Sequence, residues 1–188
     1  MEGQSISTIP RVAGALLTAC FFVFLIGGVM FWARNGMAGQ PAPNFAYLAL
    51  ERGFVMAAAV VTAIGLLLFA ASVGGAHGDS LLPARLAAIT YAVGTALLLI
   101  GELDLLRSGR SPYALLVAYV ILAFLAQAAL GVILLRTGFL PAWIGWAAIA
   151  WNLAWLVALS ALSPSDMYFP VLHHAIPLAI GIALLRRG

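Results

Sequence analysis

Chemistry-bearing side chains are sparse here: three histidines, six acids and one cysteine occur among 188 residues, and lysine is absent. Glu102 and Asp104 lie two positions apart, and His173 and His174 are adjacent. Catalytic zinc is held by three convergent His or carboxylate ligands with one open position. His174 with Glu102 and either Glu51 or Asp166 would supply such a set. Adjacent histidines, however, lack the i, i+4 spacing that puts two ligands on one helix face, so no metal ligand is assigned. Buried His and Glu more commonly satisfy each other by hydrogen bonding. The same Glu102 and His174 are protonatable groups that would suit proton- or ion-coupled transport of a small solute, because ionisable residues inside a membrane segment mark functional sites.

Other chemistries are excluded or weaker. His77 and His174 fall about 20 Å apart across a core of about 30 Å, too far to share one haem. The single Cys20 rules out an internal disulfide and any multi-cysteine metal or iron–sulfur site. Walker, nucleophile-elbow and His-Glu-x-x-His motifs are all missing. Trp151 and Trp155 could line a pocket for a lipid, quinone or pigment, or could pack against small residues as core aromatics do. No cofactor is named by any motif.

Composition sets the frame that must position these groups. The chain is 64% hydrophobic and 8% charged, whereas a soluble domain carries about 25% charged residues. Most of its surface therefore faces lipid. Nine arginines read as loop and interface anchors rather than as a nucleic-acid footprint. Apolar runs of about 20 residues predict six transmembrane helices in a single all-α bundle, near 12–32, 53–73, 83–106, 113–135, 139–159 and 168–185. The first run is too long for a signal-peptide core and is read as retained. Three helices end on one phrase: Leu105-Leu106-Arg107-Ser108-Gly109, Leu134-Leu135-Arg136-Thr137-Gly138 and Leu184-Leu185-Arg186-Arg187-Gly188. The leucines pack, the arginine snorkels toward headgroups, and glycine can leave the helix in the left-handed region.

Helical phase sorts the polar residues. Ala84, Ala88, Ala92 and Ala96 form a small-residue row that predicts a central third helix. Glu102 shares the stripe of Ala84, Tyr91 and Thr95. Asp104 falls on the lipid stripe of Leu86, Val93 and Ile100, paired with Arg107. His174 points inward with Leu178 and Gly181, while His173 shares a lipid face with Ile176, Ile180 and Leu184. Gln127 aligns with Ala123 and Gly131, and Asn152 with Gly145 and Ala148, so both face neighbouring helices. By depth, Glu51, Glu102, Asp104, Asp166, His173 and His174 all gather near one leaflet. Basic residues favour cytoplasmic termini by five to four, and the lysine-free, Ala-, Gly- and Arg-rich usage suggests a GC-rich bacterial genome and hence a bacterial inner membrane.

The stretch Leu134-Leu135-Arg136-Thr137-Gly138-Phe139-Leu140-Pro141-Ala142-Trp143-Ile144-Gly145-Trp146 carries a resemblance. From about Arg85 onward the chain resembles a family of uncharacterised bacterial polytopic membrane proteins, a domain of unknown function in which an Arg-x-Gly-Phe/Leu-Leu-Pro turn joins two late helices. The resemblance implies a helical membrane fold and no catalytic residue. The leading expectation is a non-catalytic, membrane-embedded binding or accessory subunit for a lipid-like ligand or membrane partner. Its rivals are the coupled transporter, which with so few helices would require a homo-oligomer or larger complex, and a metal-assisted membrane enzyme.

Overall fold

The computed structural model describes residues 3–36, 45–110, 113–162 and 174–187. Their elements are α1 (Gly3–Gly36), α2 (Phe45–Ala76), a short 3-10 turn (Gly78–Ser80), α3 (Leu81–Ser108), α4 (Tyr113–Thr137), α5 (Ala142–Leu162) and α6 (Ala175–Arg187). No strand occurs among the described residues. Helices are what a bilayer demands, because hydrocarbon offers no partner to an unpaired backbone N–H or C=O. Five helical stretches are long and apolar enough to cross: Thr8–Ala33, Phe45–Ala76, Gly78–Ser108, Tyr113–Thr137 and Ala142–Leu159. The chain is a multi-pass helical membrane bundle.

The expected sixth span, 168–185, is not confirmed. The described part of α6 has 13 residues, about 20 Å at 1.5 Å per residue, too short alone for a core of about 30 Å. Residues 163–173, with Asp166 and His173, lie outside the described set. The second span also moves. It starts at Phe45 rather than near residue 53, because the apolar run Phe45–Leu50 continues the helix by almost two turns. Glu51 and Arg52 therefore sit inside a helix instead of flanking one. The long loop expected over 33–50 correspondingly contracts.

Each helix packs chiefly on its sequence neighbours, and α6 returns to lie antiparallel against α1. The order around the bundle is thus α6–α1–α2–α3–α4–α5, with α5 and α6 barely touching. The third helix is not central as the alanine row implied. The α4 and α2 spans bury 56% and 50% of their most apolar windows, against 44% for α3. On α3 the buried stripe runs Ala84, Ala87, Ala88, Tyr91, Gly94, Thr95, Leu98 and Glu102, so the row drifts out of the interface after Ala88. The α6 phase was also misjudged: Ile176, Ile180 and Leu184 are buried, because they flank Gly181, which abuts α1 at Gly14 and Thr18.

Two helix ends follow the punctuation that the sequence announced. Gly109 (φ 71°) and Gly138 (φ 61°) adopt the left-handed conformation, and their N–H groups donate to Leu105 O and Leu134 O. Backbone closeness between helices rests on small residues, since lipid and leucine are equally apolar. A Cβ at Gly131 would fall 2.7 Å from Gly145 O and 3.0 Å from Ala148 Cβ. Gly131→Ala is therefore expected to destabilise by about 1–3 kcal/mol, the cost of overpacking, read as a lower melting temperature in detergent. Gly28→Ala meets nothing within 4 Å and should be neutral or stabilising by up to about 1 kcal/mol. Equal destabilisation by both would contradict this packing.

Candidate functional site

The strongest electrostatic feature lies where α2 begins and α3 ends. Glu51 is fully buried, Arg52 is 9% exposed and Glu102 is 4% exposed. Arg52 Nη1 donates to Glu102 Oε1 at 3.4 Å, and Arg52 Nε lies 3.4 Å from Glu51 Oε1. Burying an ion is expensive unless a counter-charge accompanies it, so the two carboxylates are what let Arg52 enter the bundle. Glu102 Oε2 has no hydrogen-bond partner among the described residues. Sequence reasoning promoted Glu102 and Glu51 but took Arg52 for an interface anchor. The available signal was its position directly after Glu51, ahead of a long apolar run, on a helix adjacent to the one bearing Glu102.

His174 is 1% exposed and lies elsewhere. Its Nδ1 is 3.3 Å from Thr62 Oγ1, and its ring is tilted against Phe24 at a centroid distance of 4.8 Å. Thr62 Oγ1 donates to Ala58 O at 2.7 Å. The His174 ring and the Thr62 hydroxyl are thus within hydrogen-bonding distance, with the donor set by the imidazole tautomer. Tyr91 and Cys20 also reach Thr62, and Tyr91 Oη is 3.4 Å from Tyr119 Oη. One polar network near mid-membrane thus ties together α1, α2, α3, α4 and the start of α6.

These two groups are separate. Ten positions part Arg52 from Thr62 on α2, a rise of about 15 Å. The expected gathering of Glu102 and His174 near one leaflet is therefore corrected: His174 packs on Thr62 and Phe24 at mid-bundle. Among the described residues, no three His, Cys, Asp or Glu converge as metal ligands. Asp104 is exposed as expected, but no ion pair joins it to Arg107 within the described residues, and each charge lies in the open. His77, exposed beyond α2, stands edge-on to Phe139 at the opposite end from Glu51.

Gln127 and Asn152 are both buried, at 1% and 0% exposure. Each lies one turn from the Gly131–Ala148 contact, and so on the seam between α4 and α5. Asn152 Nδ2 donates to Ala148 O at 2.6 Å. Neither amide atom of Gln127, nor Asn152 Oδ1, has a partner among the described residues. Trp151 and Trp155 stack edge-to-face at 6.1 Å, half-buried.

One opening between helices has no counterpart in the sequence reading. A groove of about 860 Å³ separates the α4–α5 turn and the start of α5 from α6. Ile144, Trp143, Leu178, Ala179 and Ile182 wall it, with Arg186 and Arg187 at one end. Arg187 Nη1 donates to Phe139 O, and its guanidinium lies 4.8 Å from the Phe139 ring centroid. The groove exists because α5 leans on α4 and α6 on α1, an arrangement that no single-helix pattern encodes. No protein-family model matches the chain, and no curated protein or solved structure shows significant similarity to it. The resemblance of the C-terminal half therefore transfers no residue roles.

Removing one partner of a buried pair strands the other, at about 3–5 kcal/mol. Arg52→Gln and Glu102→Gln are each expected to lower stability by that order, and the double variant by less than their sum. A double-mutant cycle in detergent should show coupling of about 0.5–3 kcal/mol. Strict additivity would mean that the pair is not formed.

Proposed function

We propose that the protein is a non-catalytic, membrane-embedded binding protein that takes a lipid-like ligand sideways from the bilayer into the groove between α5 and α6. The observation that carries this reading is the groove itself. Its volume of about 860 Å³ falls within the roughly 300–1,000 Å³ of small-molecule sites, and its walls are overwhelmingly apolar. A cleft of this kind in hydrocarbon is filled by a chain-like apolar molecule rather than by water. Trp143, 62% exposed at the rim, has the amphipathic ring that suits the headgroup boundary. In this reading the protein resides in a bacterial inner membrane with cytoplasmic termini, so that Arg11, Arg85, Arg136, Arg186 and Arg187 face the cytoplasm, as the positive-inside rule favours.

Coupled transport of ions or protons is the second reading, favoured by the buried Glu51–Arg52–Glu102 group. It ranks lower because His174 packs on Thr62, ten positions or about 15 Å along α2 from Arg52, rather than against Glu102.

The test is lipid co-purification. Wild-type protein extracted in mild detergent should retain stoichiometric lipid, quinone or another polyprenyl-like molecule detectable by mass spectrometry. Ala179→Trp, which fills the groove from its α6 wall, should reduce that retention several-fold while the melting temperature changes little. Retention unchanged in a folded Ala179→Trp protein would place the ligand elsewhere and overturn the reading.

A further inference from the structure

The groove has a chemical polarity that its apolar walls do not explain. At one end stand Arg186 and Arg187, and no acid is among its lining residues. Arg187 is engaged by the Phe139 carbonyl and ring. Arg186 is exposed and makes no hydrogen bond or ion pair among the described residues. The same face of the bundle carries Arg85 and Arg136 on the ends of α3 and α4, both exposed. From Arg186 the groove follows α6 to Ala175, eleven residues or about 16 Å. That length matches one leaflet, half of a hydrocarbon core about 30 Å thick.

Resting on the lipid-binding reading above, we infer that the occupant is a single anionic membrane phospholipid of the leaflet on the Arg186 side. Its acyl chain lies along the Ala175–Ile182 wall, and its headgroup phosphate is received by Arg186, with Arg187 as a fixed neighbouring charge. Charge complementarity decides between headgroups. A guanidinium offers a fork of donors matched to phosphate oxygens, and the juxtamembrane cations raise the local preference for net-negative lipid. A zwitterionic lipid would bring its own cation into a site holding two guanidiniums and no carboxylate. Arg187 sets the end of the groove: one of its N–H donors is held by Phe139 O and its guanidinium lies over the Phe139 ring, whereas Arg186 has no such tether among the described residues. Arg186 is therefore the selectivity residue.

The experiment uses the full chain in nanodiscs or detergent, with phosphatidylglycerol and phosphatidylcholine of identical acyl chains as competing probes. Native mass spectrometry reads the lipid retained. Wild type should prefer phosphatidylglycerol by about fivefold or more, in line with one interfacial cation's contribution. Arg186→Gln should erase the preference without lowering the melting temperature, since the side chain is exposed. Ala179→Trp should remove both lipids. Equal retention of the two lipids by wild type, both lost in Ala179→Trp, would overturn the anionic-headgroup assignment and leave the groove reading standing. A preference that survives Arg186→Gln would overturn the role of this residue. Retention untouched by Ala179→Trp in a folded protein would overturn both.

Discussion

A buried charge needs its counter-charge, and a buried backbone needs its hydrogen bonds; in a bilayer both requirements become absolute. The second makes every described segment of this chain helical or a tight turn between helices. The first determines how α2 and α3 register. Arg52 can lie 9% exposed inside the bundle only while Glu102 and Glu51 stand against it. Sliding α3 by one turn would part Arg52 from Glu102, about 5.4 Å along the axis, and leave charges in an apolar surround. The α2–α3 hairpin is thus pinned at its open end by charge and at its tight end by the turn after Ala76.

Away from that pin the helices hold one another by shape. Gly14 against Gly181 and Gly131 against Gly145 bring backbones nearer than any side chain would allow. These two contacts belong to different pairs, α1 with α6 and α4 with α5. Among the described residues nothing comparable joins α5 to α6. The lateral groove follows from this division: it is the seam left where two well-packed pairs meet, with α5 and α6 barely touching. The polar network from His174 through Thr62 to Tyr91 and Tyr119 then supplies directional bonding at mid-membrane, where dispersion alone distinguishes poorly between alternative helix faces.

Much of this was legible from residue order. Glu102 lay on the stripe of Ala84, Tyr91 and Thr95, and all four are buried together; Leu86, Val93, Ile100 and Asp104 are exposed on the other face. The Leu-Leu-Arg-x-Gly phrase marked the stops at Gly109 and Gly138. What could not be read was anything depending on two helices at once. Arg52 looked like an anchor because its partner is fifty residues away. Depth along its own helix puts His174 near a leaflet, whereas its contacts with Thr62 and Phe24, which set its position, are on other helices. The groove is invisible to any single-helix pattern, since it consists of a neighbour that α5 lacks.

Lipid binding at this seam requires that α5 and α6 be open to lipid along their facing walls. A nitroxide attached at Ala179, in a chain with Cys20 replaced by alanine, tests this most directly through its collision rate with dissolved oxygen in a bilayer. The expected rate is close to that of a label at Val157, which faces outward at 69% exposure, and several-fold above that of a label at the fully buried Ala148. An Ala179 label as shielded as the one at Ala148 would mean that the helices close on each other and that no groove exists.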